Sequence, residues 1–333
     1  MVETTRKARP PGEWLRTAAP RPLARALGEP QIVFATGVLL VLGVVMTFAS
    51  PFFLTSQNLS NVLVQASVLA IVSFGMTVVI VSGNFDLSVG STVGLAGVVA
   101  GETMIRTDSS ALGVLAALGA GCGVGLLNGV IVTVLRVPSF IATLAMLVMA
   151  RGAALALTNG ETLVGFPEGF ANFFEGELLG LRVPVWVALA VLAFFYFLMR
   201  HTLFGVELYA VGGNPQAARL SGLPVARVQT LAFVLSGFAA GVAALVLVGR
   251  LDAAQPSAGG LLELFAVAAV VVGGTSLFGG QGSVLRTVVG VALIAVIQNG
   301  LTLRNINADV QSMILGAVFI AATLSGVLRR RGA

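Results

Sequence analysis

Residues 62–91 read VLVQASVLAIVSFGMTVVIVSGNFDLSVGS, an apolar run that ends in a polar stretch containing glycine. A helix needs roughly 20 mostly apolar residues to cross the hydrocarbon core of a bilayer. Residues 62–82 meet this requirement, and the carboxyl group of Asp86 follows them closely. The stretch therefore predicts a transmembrane helix that ends where the chain breaks into a turn.

Apolar runs of this kind recur along the chain. Of its 333 residues 57% are hydrophobic and 10% are charged, whereas about a quarter of a soluble domain is charged. We therefore predict an all-α, polytopic membrane protein with about ten transmembrane helices, one or two of them broken or re-entrant. The third and the eighth are short and interrupted by glycine, which favours such a path for them. The candidate spans are 31–50, 62–82, 88–105, 111–135, 138–158, 183–200, 229–249, 262–278, 283–302 and 309–328.

The basic residues predict the orientation, because cytoplasmic loops of membrane proteins are enriched in lysine and arginine. With the N-terminus inside, most of the 19 basic residues fall on the cytoplasmic side. We therefore expect both termini in the cytoplasm and the chain in the inner membrane. The arginines that fall outside are Arg106, Arg182, Arg250 and Arg304.

Three regions are predicted. Residues 1–29 are basic and contain several prolines but no apolar core of signal-peptide type, so we expect a disordered cytoplasmic arm. Residues 30–328 form the transmembrane domain, which includes a cytoplasmic loop at 201–228. Residues 329–333 form a short basic cytoplasmic tail.

Composition excludes several kinds of chemistry. The basic residues are not interleaved with aromatic residues on one face, so the net charge of +5 does not indicate a nucleic-acid partner. Cys122 is the only cysteine, which excludes an intrachain disulfide and a cysteine-based metal site. Lys7 is the only lysine, which excludes a P-loop, because that motif needs a lysine after its glycines. We expect no catalytic, cofactor or metal site, and lipid as the surrounding medium.

Polar residues in or beside the apolar spans are candidates for a translocation pathway, because polar groups are costly in hydrocarbon. A second interpretation stays open: Asp86 or Ser88 caps the third span, and the amides form hydrogen bonds between helices. The candidates are Asn84, Asp86, Ser88, Ser91, Asn128, Gln298 and Asn299.

Two patterns concern helix packing. Gly121, Gly125 and Gly129 recur at every fourth residue, which predicts a face where another helix approaches closely. Residues 83–87 resemble residues 273–277, and Asn128-Gly129 resembles Asn299-Gly300, but the two offsets of 190 and 171 differ. An internal repeat is therefore only weakly indicated.

The loop between the sixth and seventh spans encodes a short helix. Its centre, residues 212–222, reads GGNPQAARLSG. Asn214 suits the N-cap and Pro215 the first turn, whereas Gly222 and Pro224 suit the end of a helix. A helix of about two turns is marginal in isolation, so we expect it to gain order by docking on a partner. The alternative is a helix that lies flat on the membrane.

Several segments together resemble the membrane permease subunit of bacterial ABC importers for simple sugars, of the ribose, xylose and galactose type. They are spread over most of the chain. The matching segments are GNFDLSVGS (83–91), VPSFIATLAMLVMARGAAL (137–155), LYAVGGNPQAARLSGL (208–223), RLDAAQPSAG (250–259), VVGGTSLFGGQGSV (271–284) and QNGL (298–301).

The resemblance implies a function and partners. The chain would form the pathway for a pentose or hexose, as half of a permease dimer that we expect to contain two identical copies. An ABC ATPase subunit would bind ATP on the cytoplasmic side, and an extracytoplasmic sugar-binding protein would deliver the substrate. Residues 212–222 would be the coupling helix, and Asp86 and Ser88 would border the path. The implied ATPase contacts are Gly213, Asn214, Pro215, Ala218, Arg219 and Gly222.

One departure and two alternatives remain. Such permeases often read ELDAIAA before the GGTSL segment, whereas this chain has ELFAVAA at 263–269, so Phe265 replaces an acidic residue. This leaves the identity of the sugar and the docking of the binding protein open. A nucleoside permease of the same ABC class is one alternative. An ion-coupled secondary carrier is another, and it needs ionisable groups at membrane depth, such as Asp86, Glu102, Arg151 and Glu263.

Overall fold

The computed structural model describes residues 30–307, 309–314, 316, 317 and 320. The predicted N-terminal arm 1–29 and the tail 329–333 lie outside these residues, as does much of the predicted tenth span. Those residues of the tenth span that are described are helical.

Among the described residues the regular secondary structure is helical apart from one small hairpin in a long loop. In chain order the elements are α1 (Pro30–Ala49), α2 (Ser56–Val81), α3 (Val89–Thr107), α4 (Ser110–Thr133), α5 (Ser139–Thr158), α6 (Phe170–Glu175), β1 (Glu177–Leu178), β2 (Leu181–Arg182), α7 (Val183–His201), α8 (Leu203–Gly213), α9 (Pro215–Leu220), α10 (Val225–Leu251), α11 (Leu262–Val272) and α12 (Val284–Leu303). β1 and β2 pair antiparallel.

Seven of the described helices are long and apolar enough to cross a membrane. They are α1, α2, α4, α5, α7, α10 and α12. The prediction of an all-α, multi-pass membrane protein is therefore confirmed, whereas the number of crossings and the side on which each terminus lies stay predictions.

The two spans with unusual sequences behave differently. The third span, α3, is one continuous helix of 19 residues despite its glycines. The eighth is broken: α11 has only 11 residues and is about 16 Å long, half the thickness of the hydrocarbon core. Residues 273–283 then lead to α12 without a helix.

The core is built by close packing of α4 on α10, with α2 beside α10. A methyl group on Gly121 would overlap the carbonyl oxygen of Gly237, and one on Gly237 would overlap that of Gly121. A methyl group on Gly125 would likewise overlap the backbone of α10. The predicted glycine face is therefore confirmed: the two backbones touch because neither carries a Cβ atom at these points.

α2 and α11 end in the same way. The amide of Asn84 donates to Val79 O at 3.1 Å, and the amide of Thr275 donates to Val270 O at 3.1 Å. Each turn depends on a glycine with a left-handed backbone, Gly83 or Gly274, both at φ 84°. The structural correspondence between the two ends is therefore 191 residues, one more than the offset read from the sequence.

Candidate functional site

The chain is irregular before α11 as well as after it. The segment before α11 runs through the bundle as non-helical backbone. Residues 252–261 are not helical and run alongside α3. We call them the outer half-span, because the predicted orientation places them on the outer side. Ala254 lies next to Gly101, the carbonyls of Pro256 and Ala258 next to Gly94, and the Gly259 carbonyl next to Gly90. The segment therefore follows α3 over eleven residues, about 16 Å, before α11 continues the crossing.

Arg151 of α5 supports this segment. Its Nη1 donates to Pro256 O at 3.1 Å and to Ala258 O at 3.2 Å. Arg151 lies twelve residues after Ser139, about 18 Å along α5 and thus near the middle of a 30 Å hydrocarbon core. Irregular backbone at such depth needs hydrogen-bond partners from the protein or from water, and the guanidinium supplies two.

Glu263 lies at the junction between the outer half-span and α11. The side chain is 8% exposed and packs against Gly90, where a methyl group would overlap Oε2. In the described part of the chain Oε2 has no hydrogen-bond partner. A buried carboxyl group is therefore held where the helical and the irregular halves of the span meet.

Asp86 is the centre of a buried polar cluster that joins three elements. It is 2% exposed. Its Oδ1 accepts from the amide of Ser88 at 3.1 Å and from the Ser88 hydroxyl at 2.6 Å. Its Oδ2 accepts from the hydroxyl of Ser236 in α10 at 2.9 Å. Asn128 of α4 donates to Ser88 Oγ at 2.8 Å and to Asp86 Oδ1 at 3.4 Å.

The arrangement differs from the predicted cap: Ser88 is the N-cap of α3 but makes no side-chain capping bond, and Asp86 accepts from the amide of Ser88, in the turn before the helix. Both oxygens of Asp86 accept hydrogen bonds. The cluster thereby ties the α2–α3 link to α4 and α10. Asn84 and Ser91 are also buried, where Asn84 donates to Ser82 Oγ at 3.1 Å and Ser91 to Ser88 O at 2.9 Å. In this conformation none of these side chains is open to the surface.

The two polar residues predicted in the ninth span have different surroundings. Asn299 of α12 forms two amide–amide hydrogen bonds with Asn58 of α2, at 3.0 and 2.8 Å. Both side chains are buried, so the pair links two helices. Gln298 is half-buried and takes no part in that pair.

The predicted helix in the long loop is α9, and both of its caps are as expected. The Asn214 side chain accepts from the amides of Gln216 and Ala217 at 3.1 and 3.0 Å, and Pro215 occupies the first turn. The chain then leaves the helix through Gly222, with φ at 82°. The predicted helix and its caps are therefore confirmed, whereas its docking on a partner stays a prediction.

The faces of α9 differ in exposure. Ala218 is buried against the core of the same chain, so its side chain is not on the outer face. Arg219 is exposed, and Leu220 is 90% exposed. The predicted contact residues Gly213, Asn214, Pro215 and Gly222 are also exposed.

The segment before α9 meets the ends of α2 and of the broken span at a glycine junction, formed by Gly83, Gly212, Gly279 and Gly280. The amide of Gly280 donates to Val81 O, the last carbonyl of α2, at 2.9 Å. A methyl group on Gly212 would overlap that same oxygen, and one on Gly279 would overlap Gly83 and Gly212. Three backbones are thus in direct contact, with no side chain between them.

Tyr209 adds a side-chain link at the same place. Its hydroxyl donates to Gly282 O at 2.8 Å and so ties α8 to the irregular segment 273–283. Burial raises the pKa of the Tyr209 phenol, while the charges of Arg286 and Arg200 act in the opposite direction. The phenol therefore stays a neutral hydrogen-bond donor at physiological pH.

A cavity of about 270 Å³ opens beside α9. Two exposed arginines, Arg136 and Arg219, contribute to its wall together with Thr133 and Gln229. The surface around α9 is therefore basic, and it suits a partner with acidic groups.

Four residues of functional interest were not singled out by sequence reasoning: Gln255 and Ser257 in the outer half-span, Ser236, and Gly212. Arg151 was recognised only as a charge within a span. An arginine inside an apolar run is itself a signal, because it needs polar partners at membrane depth. Ser236 has the same kind of signal. The partner of either residue could not be read from the sequence, because it comes from a distant part of the chain.

Comparison with known proteins places these features in a context. Residues 58–323 match a family described as "Branched-chain amino acid transport system / permease component". No solved structure matches the chain.

Several relatives match nearly end to end. The chain is 41% identical to the ribose import permease protein RbsC of Escherichia coli (strain K12) over 290 residues, which cover 86% of this chain and 90% of that protein. It is 36% identical to the L-arabinose ABC transporter permease protein AraH of Azospirillum brasilense over 311 residues, 92% of each chain. It is 33% identical to the D-allose transport system permease protein AlsC of Escherichia coli (strain K12) over 284 residues, 85% of this chain and 87% of that protein.

Proposed function

The chain belongs to this family of transport permease components, and from that premise we propose that it forms the pathway of an ATP-driven importer for a neutral monosaccharide. It is a transport protein of the membrane, and not an enzyme. ATP hydrolysis is assigned to a separate ABC ATPase subunit, as for permeases of this family. The observation that carries the proposal is α9, a capped helix with an outward Arg219 and Leu220, joined by backbone contacts to a broken span.

The substrate class rests on the relatives. Their names assign ribose, L-arabinose and D-allose to them, which are all neutral and polyhydroxylated. The family description names branched-chain amino acids instead. We favour a pentose or hexose for this chain, because hydroxyl groups suit a wall of amides, hydroxyls and backbone groups, whereas a zwitterion calls for paired charges.

The partners follow from the same assignment. A second permease subunit, taken as an identical copy, completes the pathway, and an extracytoplasmic binding protein delivers the sugar. The ATPase docks on α9, where Leu220 offers an apolar anchor and Arg219 a charge. Full burial of a leucine side chain contributes roughly 1.5–3 kcal/mol. The neighbouring Arg136 gives the same surface a second positive charge for an acidic group of the ATPase.

The glycine junction supplies the mechanical step. When ATP binding moves the ATPase, α9 and α8 move with it. Because Gly212 touches the end of α2 and the segment 273–283, this displacement reaches the inner end of the broken span without passing through flexible side chains. The Asp86 cluster, which ties the start of α3 to α4 and α10, keeps the neighbouring helices moving as one body.

In this proposal the polar residues that the sequence predicted for the pathway have different roles. Asp86, Ser88 and Asn128 hold the helices that border the path, with Asn84 and Ser91 beside them. Asn299 locks α12 to α2, and Gln298 is the one of the ninth-span pair that stays available to the path. Among the ionisable groups that an ion-coupled carrier would need, Glu102 pairs with Arg106 at 2.6 Å and Arg151 donates to Pro256 O and Ala258 O, which leaves the buried Glu263 as the candidate for that alternative.

The test is reconstitution in proteoliposomes with the ABC ATPase and the binding protein. We expect uptake of radiolabelled ribose, arabinose or allose that requires ATP and stops when ATP hydrolysis is blocked. Leucine and a nucleoside serve as competing substrates. ATP-independent uptake driven by an imposed proton or sodium gradient would contradict the proposal, as would uptake of leucine alone.

A further inference from the structure

The outer half-span has two edges with opposite character. Its residues alternate in exposure, as expected for an extended chain with one face on a wall. Ala254 and Pro256 are buried against α3 and α5, whereas Gln255, Ser257 and Gly260 are exposed. The buried edge is fixed by the carbonyl bonds to Arg151. The exposed edge is thereby held in one orientation.

The exposed edge carries polar groups that the described chain does not satisfy. Within the described residues no hydrogen bond engages the side chains of Gln255 and Ser257, or the amides of Gln255, Ser257 and Gly260. These groups lie beside α3 between the levels of Gly101 and Gly90, on the side of the bundle that the predicted orientation makes the outer one. An unpaired polar group in hydrocarbon costs several kcal/mol, so this edge does not face lipid.

From this we infer that the edge Gln255–Ser257–Gly260 is the polar wall of the pathway in the outer half of the membrane, and that it binds hydroxyl groups of the passing sugar. The inference rests on the proposed function for the identity of the ligand. An amide, a hydroxyl and free backbone N–H groups offer donors and acceptors but no charge, which suits a neutral polyol. Below this wall Leu261 and Leu264 are partly exposed, so the polar lining ends where α11 begins.

The first experiment measures whether water reaches this edge. In a chain whose native thiol is removed by Cys122→Ala, we compare Ser257→Cys with Leu40→Cys. Leu40 is an exposed apolar residue halfway along α1. A charged, membrane-impermeant thiol reagent should modify Ser257→Cys at least tenfold faster. Equal rates would overturn the inference, and so would spontaneous disulfide formation between two copies of Ser257→Cys, which would make the edge a dimer contact.

The second experiment measures transport. Gln255→Leu removes the amide but keeps a similar volume, and we expect at least a fivefold loss of sugar uptake in the assembled importer. Gln255→Asn should restore part of the rate, because it returns the amide. Binding-protein-stimulated ATP hydrolysis is measured in the wild type and in both variants, to show that each importer has assembled. If Gln255→Leu takes up sugar at the wild-type rate, this inference is overturned and the proposed function is not. If the unmodified protein carries no sugar, the proposed function is overturned, and the labelling result then reports only on water access to the edge.

Discussion

Gly212→Ala is the sharpest perturbation that the structure offers. The added methyl group would overlap the carbonyl oxygen of Val81 and lie 2.7 Å from the amide nitrogen of Gly280. These two atoms form the hydrogen bond that joins α2 to the segment 273–283. The substitution therefore pushes α8 away from both elements and removes a bond between them, without altering the outer face of α9.

The size of the effect can be worked from these contacts. Forcing a methyl group into a packed site costs roughly 1–3 kcal/mol, and a lost hydrogen bond about 1 kcal/mol. Replacing glycine by alanine stabilises a helix by up to about 1 kcal/mol, which offsets part of this cost. The net cost is then roughly 1–3 kcal/mol, which lowers the equilibrium constant between the formed and the separated junction by a factor of about 5 to 150.

The assay compares sugar uptake with ATP hydrolysis in the same proteoliposomes. We expect Gly212→Ala to bind the ATPase normally and to hydrolyse ATP, while the amount of sugar carried per ATP falls at least fivefold. The reason is that the docking surface is intact, whereas its connection to the broken span is not.

Two controls isolate the junction. A methyl group on the adjacent Gly213 would meet no atom within 4 Å, so Gly213→Ala should keep or slightly raise thermal stability. Because Gly213 is among the predicted ATPase contacts, it controls for stability only. The control for uptake is Gly123→Ala, which also has open space on α4. Full coupling in a folded Gly212→Ala protein would refute the transmission argument, and so would a complete failure to bind the ATPase, which would make Gly212 a docking residue.

Three further predictions test other parts of the structure. Arg219→Glu should abolish uptake while the protein still inserts and folds, because it reverses a charge on the exposed face of α9; normal ATP-driven uptake would count against the docking role. Gly121→Ala should lower the melting temperature of the detergent-solubilised protein by separating α4 from α10, at a cost of roughly 1–3 kcal/mol. Gly123→Ala in the same helix should not, and equal shifts would contradict the packing argument. Asn299→Leu should cost about 1–3 kcal/mol, because the buried Oδ1 of Asn58 loses its donor while Nδ2 keeps its bond to Phe53 O. The double variant with Asn58→Leu should recover part of this loss, and purely additive effects in unfolding measurements would argue against a coupled pair.

The sequence was most informative where local chemistry determines the structure. The caps of α9 were predictable because Asn214, Pro215 and Gly222 act on backbone groups a few residues away. The packing face of α4 was predictable because a four-residue spacing of glycines can only lie along one side of a helix. The α9 caps involve partner atoms only a few residues away in the chain. The glycine face of α4 needs no particular partner, because it accommodates the backbone of whichever helix packs on it.

The outer half-span was not predictable by the same means. A window of hydropathy reads Gln255, Pro256 and Ser257 as a loop between two spans, because an irregular crossing has no apolar run. Its place beside α3 depends on Gly90 and Gly94, which are more than 150 residues earlier in the chain, and on carbonyl bonds to Arg151. The one local clue was that the following apolar stretch is too short to cross the membrane alone.

The buried cluster around Asp86 and the exposed edge at Gln255 differ in how many of their hydrogen-bonding groups are already paired. This difference decides which of them contacts the substrate. A carboxyl group with both oxygens engaged by Ser88 and Ser236 can hold helices together but has little capacity left for a ligand. The edge at Gln255 and Ser257 has donors and acceptors without partners, and that arrangement is stable in a membrane only if water or sugar completes it. Tight binding would be a disadvantage there, because a carrier must release what it passes. A wall of neutral groups, with affinity left to the delivering protein, is the composition that this requirement favours.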